Sequence, residues 1–98
     1  MKINELIEMM QHGEEFEVCV DGQNFFLQPE YDSWLEECGY LRTIIFDSNN
    51  GNATEIFVGS TETILEYRFA GKYTFKNDLN KFELNPGCYI VENTKGDR

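Results

Sequence analysis

The segment Glu15-Phe16-Glu17-Val18-Cys19-Val20 alternates apolar with polar or small side chains, meets Asp21-Gly22, and returns through Phe25-Phe26-Leu27. A period of two places successive side chains on opposite faces of a strand, so Phe16, Val18 and Val20 share one face and Glu15 and Glu17 the other. Asp-Gly readily takes the left-handed backbone of a two-residue turn, which makes this segment a β-hairpin. A hairpin with one apolar face is not stable alone. The rest of the chain must cover Phe16, Val18 and Val20.

The remaining patterns supply that cover. Ile3, Leu6, Ile7 and Met10 recur at helical spacing, which predicts an N-terminal helix capped at Asn4 and stopped by Gly13. Pro29 is expected to end the second strand. Residues 30–40 read as a loop with one helical turn beginning near Asp32 or Ser33. A third strand over 41–46, a turn over 47–52 and a fourth strand over 55–58 follow. Ser60 or Thr61 caps a second helix that runs to about Phe69, with Ile64, Leu65 and Phe69 inward, and Gly71 stops it. One further helical turn falls within 74–80, an extended piece over 82–84, and an edge strand at Cys88–Val91. Strands joined by short turns pair antiparallel. The expected fold is therefore α+β: an antiparallel four- to five-stranded sheet with an N-terminal helix and one or two short helices packed on one face. One domain covers 1–92, and 93–98 form a frayed tail.

Charge narrows the function. The 98-residue chain holds 18 Asp and Glu against 8 Lys and Arg, a net charge of −10. Between Ile3 and Leu41 there are ten acids and no base, whereas residues 42–98 carry seven bases against eight acids. Such a balance rules out a phosphate-binding mode driven by a basic surface, since binding nucleic acid needs Lys and Arg to neutralise phosphates, and no direct nucleic-acid binding is expected. The longest apolar run is four residues, Cys88 to Val91, too short for a membrane span or a signal-peptide core. The acidic segment reads either as a solvated face that maintains solubility or as a surface aimed at a basic partner.

Catalytic and metal chemistry find little footing. Cys19, Cys38 and Cys88 are an odd set without a paired spacing, which fits a reducing cytoplasm better than a disulfide scaffold. With His12 they match no known zinc spacing. The oxygen-rich run from Asp47 lacks the glycine and glutamate positions of a calcium loop, and Gly71-Lys72 lacks the rest of a phosphate-binding loop. No nucleophile, base and oxyanion donor can be nominated together, so no catalytic residue, metal or cofactor is expected.

The most informative stretch is 30–40, where Glu30, Asp32, Glu36 and Glu37 interleave with Tyr31, Trp34 and Tyr40. Trp and Tyr anchor protein interfaces, and surrounding acids set the sign and the on-rate. Trp34 and Leu35 plugging the sheet is the competing structural reading.

Met1-Lys2-Ile3-Asn4-Glu5-Leu6-Ile7 followed by Phe16-Glu17-Val18 resembles the openings of small acidic proteins of phages and mobile elements from Gram-positive bacteria, anti-CRISPR inhibitors among them. Glu55-Ile-Phe-Val-Gly-Ser-Thr-Glu-Thr-Ile-Leu, with Phe69-Ala-Gly-Lys-Tyr-Thr, resembles uncharacterised proteins of the same bacteria. These are scaffold residues, and no binding residue carries over by position. The resemblance implies a context in which a small acidic protein is often an inhibitor. The expectation is a cytoplasmic, non-enzymatic protein, monomer or homodimer, that blocks the DNA-binding surface of a basic nucleic-acid-binding protein such as an RNA-guided nuclease. Glu14, Glu15, Glu17, Asp21, Glu30, Asp32, Glu36 and Glu37 would be the mimic charges, and Tyr31 and Trp34 the anchors. An immunity protein against a nuclease toxin, or a self-associating scaffold using the apolar strand edge or Cys88–Val91, are the alternatives.

Overall fold

A computed structural model describes residues 1–31, 40–49 and 51–86. The order is α1 (Ile3–Gln11), β1 (Phe16–Val20), β2 (Gln23–Tyr31), β3 (Tyr40–Asp47), β4 (Thr54–Gly59), α2 (Thr61–Glu66), α3 (Phe75–Asp78), a 3-10 turn (Leu79–Lys81) and β5 (Glu83–Pro86). The five strands form one antiparallel sheet in the order β4-β3-β2-β1-β5. The fold is α+β, as the alternation and turn chemistry require.

The hairpin forms as read. Asp21 and Gly22 take φ of 54° and 74°, the two left-handed residues of a primed turn, and β1 buries Phe16, Val18 and Val20. Those three join Phe25, Leu27 and Ile45 on one sheet face, covered by Leu6, Met9 and Met10 of α1, Ile64 of α2, and Phe75 of α3. Phe69 is the hub of this layer. Its fully buried ring lies 5.2 Å from Phe25, 4.8 Å from Phe75 and 5.4 Å from Phe82 between centroids. Aromatic contacts of this kind add about 0.5–1.5 kcal/mol each beyond their burial.

Several expectations need correction. The cap of α1 is Lys2, not Asn4: the Glu5 carboxylate reaches back to accept the Lys2 N–H at 3.1 Å, the return half of a capping interaction. Met9 rather than Ile3 or Ile7 completes the buried stripe, leaving those two isoleucines half-buried at its margin. Pro29 does not end β2, which runs to Tyr31 with Pro29 paired to Thr43. The β1–β2 ladder stops at Leu27, so beyond it β2 has no neighbour on that side among the described residues and tolerates a residue lacking an N–H.

The second helix is shorter than its pattern suggests. It is capped by Ser60, ends at Glu66, and leaves Tyr67 extended. Extended backbone puts residues two apart on the same side. Tyr67 accordingly packs against Phe57 at 4.8 Å and meets Phe69 edge-on at 4.9 Å between centroids, contacts that a continuing helix would pull apart. Phe69 instead bridges to Tyr73 across a turn in which Ala70 and Gly71 have positive φ. The last described strand is Glu83–Pro86; the expected strand Cys88–Val91 and the tail 93–98 lie outside the described residues.

Candidate partner-binding face

The alternation that buries Phe16, Val18, Leu27 and Ile45 turns the other half of each strand to the opposite face, where no described helix packs. The registers assemble it. Glu17 stands opposite Phe26, Phe26 opposite Phe46, and Phe46 opposite Glu55, so one row crosses four strands from carboxylate to carboxylate. Three strand spacings separate its ends by about 14 Å. Beside it run Gln28, Ile44 and Val58 in one row, Glu30 and Arg42 in another, and Glu83, Cys19 and Asn24 in a third. Glu83 lies diagonal to Glu17, a spacing of roughly 7–8 Å.

The result is an apolar centre with an acidic perimeter. Phe26 and Phe46 pack with centroids 6.0 Å apart, Ile44 is half-buried, and Val58 is 37% exposed. Acids come from β1, β2, β4 and β5. The face's base, Arg42, sits 3.1 Å from Glu30, and both side chains are about half-exposed, so solvent limits the pair to about 1 kcal/mol or less. Among the described residues, that pairing leaves the acids of Glu55 and Glu83 in excess. An apolar centre ringed by charge is the usual anatomy of a protein interface.

The predicted charges are only partly gathered here. Glu17 and Glu30 lie on this face. Glu15, half-buried, and Glu14, exposed, precede β1, and exposed Asp21 sits in the hairpin turn at the far end of that strand. Tyr31 ends β2, and Asp32, Trp34, Glu36 and Glu37 lie outside the described residues. The face adds residues that the linear reading missed: Glu55, Glu83, Phe26, Ile44, Phe46 and Val58. The signal was present in Phe25-Phe26-Leu27 and Ile44-Ile45-Phe46, because an unbroken apolar run in a strand must place apolar groups on both faces.

Elsewhere the chemistry is sparse. Among the described residues no three His, Cys, Asp or Glu side chains converge as metal ligands. Half-buried Cys19 is on the open sheet face and exposed His12 at the end of α1, whereas Cys38 and Cys88 lie outside the described residues. In the oxygen-rich turn after β3, Asp47 Oδ1 accepts from the Asn49 backbone N–H at 2.9 Å and its side-chain amide at 2.7 Å, while the buried Ser48 hydroxyl has no partner among the described residues. A groove of about 570 Å³ between α1 and α2 has Ile3, Ile7 and Leu65 with the Glu66–Lys76 pair at its edge. No described helix is long and apolar enough to cross a membrane. No family model, curated protein or solved structure matches the chain.

Proposed function

We propose that this protein is a non-enzymatic, cytoplasmic inhibitor, of phage or mobile-element origin, that binds a basic nucleic-acid-handling protein and occupies its DNA-binding surface. The observation carrying this reading is the sheet face that no described helix covers, with carboxylates from four strands around Phe26, Ile44 and Phe46. A channel of Arg and Lys that grips phosphates also grips carboxylates held at fixed spacing on a rigid sheet. The apolar centre then supplies the desolvated contact that charge alone does not. An RNA-guided DNA nuclease is the partner the context favours; a nuclease toxin would present the same chemistry.

The test is titration of the protein into a guide-loaded RNA-guided nuclease from a Gram-positive host, reading DNA binding and cleavage at two salt concentrations. DNA binding should fall, and the inhibition should weaken at high salt. Cleavage lost with DNA binding intact would leave an inhibitor but remove the decoy mechanism. A second reading, self-association, draws on the edge strand β4, where Ile56 is 41% and Val58 37% exposed. It predicts a mass that rises with concentration and ignores salt.

A further inference from the structure

We propose that the segment 68–81 forms a second, cationic site that binds the phosphodiester backbone of a single-stranded nucleic acid, on the side of the molecule opposite the acidic face. Net charge over the whole chain points away from such contact, but the bases are not evenly placed. Four of the eight Lys and Arg fall here, Arg68, Lys72, Lys76 and Lys81, against one acid within the segment, Asp78. All four are exposed, while Phe69 and Phe75 between them, and Phe82 just after them, are buried in the core. Packing therefore turns the apolar residues of this stretch toward the sheet and its cations outward from the helical layer.

The cations converge in two pairs. The Lys72 and Lys81 ammonium groups lie 5.1 and 5.8 Å from the centroid of one ring, Tyr73. Arg68 and Lys76 line a cleft of about 350 Å³ together with Thr74, Asn77 and Glu66. Of the nearby acids, Glu66 pairs with Lys76 at 3.5 Å and so offsets one of the four cations, and Asp78 accepts the Thr74 N–H at 3.1 Å. Among the described residues Arg68, Lys72 and Lys81 have no carboxylate within ion-pair distance. Like charges drawn together repel, and an anionic oxygen between them relieves that cost.

Screening lets such a patch act locally. At 0.1 M salt the Debye length is about 10 Å, whereas the molecule measures 33 × 30 × 24 Å. Glu17, Glu30 and Glu55 lie on the far side of the sheet from the patch, whereas Glu83 stands two residues from Lys81. A single strand suits two cation pairs, since it can present two or three phosphates without the charge density of a duplex. An inhibitor that meets a nucleoprotein would then hold its protein through the sheet and its exposed strand through this patch.

The experiment is fluorescence anisotropy of a labelled eight-nucleotide oligouridylate with the full chain and no partner protein, at about 0.05 and 0.15 M salt, around the Debye condition just used. Binding should weaken with salt by about 0.7 log units per log unit for each phosphate neutralised. Arg68→Glu with Lys72→Glu should lower affinity at least tenfold, while Glu55→Lys leaves it within about threefold, as sites on separate faces act independently. Absence of binding, or binding that the Arg68/Lys72 variant does not change, overturns the proposal. Tighter binding of a duplex overturns the single-strand assignment. No partner protein enters the assay, so its failure leaves the sheet-face reading standing.

Discussion

The two faces of the sheet come from the same five strands and differ in what covers them. The inner face carries Phe16, Val18, Val20, Phe25, Leu27 and Ile45 under three helices and the ring of Phe69, all buried. The other carries Phe26, Ile44, Phe46 and Val58, side chains of similar size that stay half-buried or exposed within a ring of acids. An apolar side chain on the first face works for stability. On the second no described helix covers it, and the acids around it would be a liability in a core. The difference gives a way to separate folding from binding by mutation.

Truncating the inner face should cost most. Phe69→Ala removes the ring that joins Phe25, Tyr67, Phe75 and Phe82 and should lower unfolding free energy by about 3–5 kcal/mol in urea titration. Gly59→Ala comes next. Its Cβ would collide with the Thr63 hydroxyl and come within 2.8 Å of the Phe57 ring, where β4 turns into α2. Overpacking of this kind should cost about 1–3 kcal/mol. On the open face Phe46→Ala should cost only about 1 kcal/mol, because its side chain is half-buried. A loss matching that of Phe69→Ala would show the two faces to be equivalent and break the comparison.

The smallest effect is a titration. Burial of the Tyr67 phenol, with the Asp47 carboxylate near it, raises its pKa above the ordinary value of about 10. The folded state therefore holds this proton to higher pH than the unfolded chain does. Stability from Tyr67 is complete below about pH 10 and declines as pH rises from there through the folded-state pKa. Tyr67→Phe should flatten that alkaline decline in thermal melts between pH 9 and 11, a window set around the phenol pKa.

How much was legible follows from the range of each signal. The hairpin, the extent of α1 and the Ser60 cap depend on residues within a few positions, and they stand close to where the sequence puts them. Pro29 and the end of α2 were misplaced because each is decided at a distance. The stopping point of β1 lets Pro29 remain in a strand, and the Phe57–Tyr67–Phe69 cluster overrides helical continuation. The candidate face follows the same rule. Glu15 and Glu17 could be assigned a side from their own alternation, but Glu55 and Glu83 join Glu17 only through the strand order β4-β3-β2-β1-β5, which no local pattern encodes. The loop reading over 32–39 falls outside the described residues, whereas Glu30, Tyr31 and Tyr40 belong to strands.

The most direct test compares two charge reversals of equal size on the two sides of the molecule. Glu55→Lys with Glu83→Lys alters the open sheet face; Glu8→Lys with Glu62→Lys alters exposed positions on the helices and changes net charge equally. Inhibition of DNA binding by the guide-loaded nuclease is read for both at about 0.15 M salt, where charges farther apart than about 8 Å are largely screened. The account predicts that the sheet-face pair loses on the order of a hundredfold in potency, as desolvated charge pairs do, and that the helix-side pair loses less than about threefold. Equal losses would mean that net charge alone governs the interaction, and would contradict the assignment of the sheet face as the binding surface.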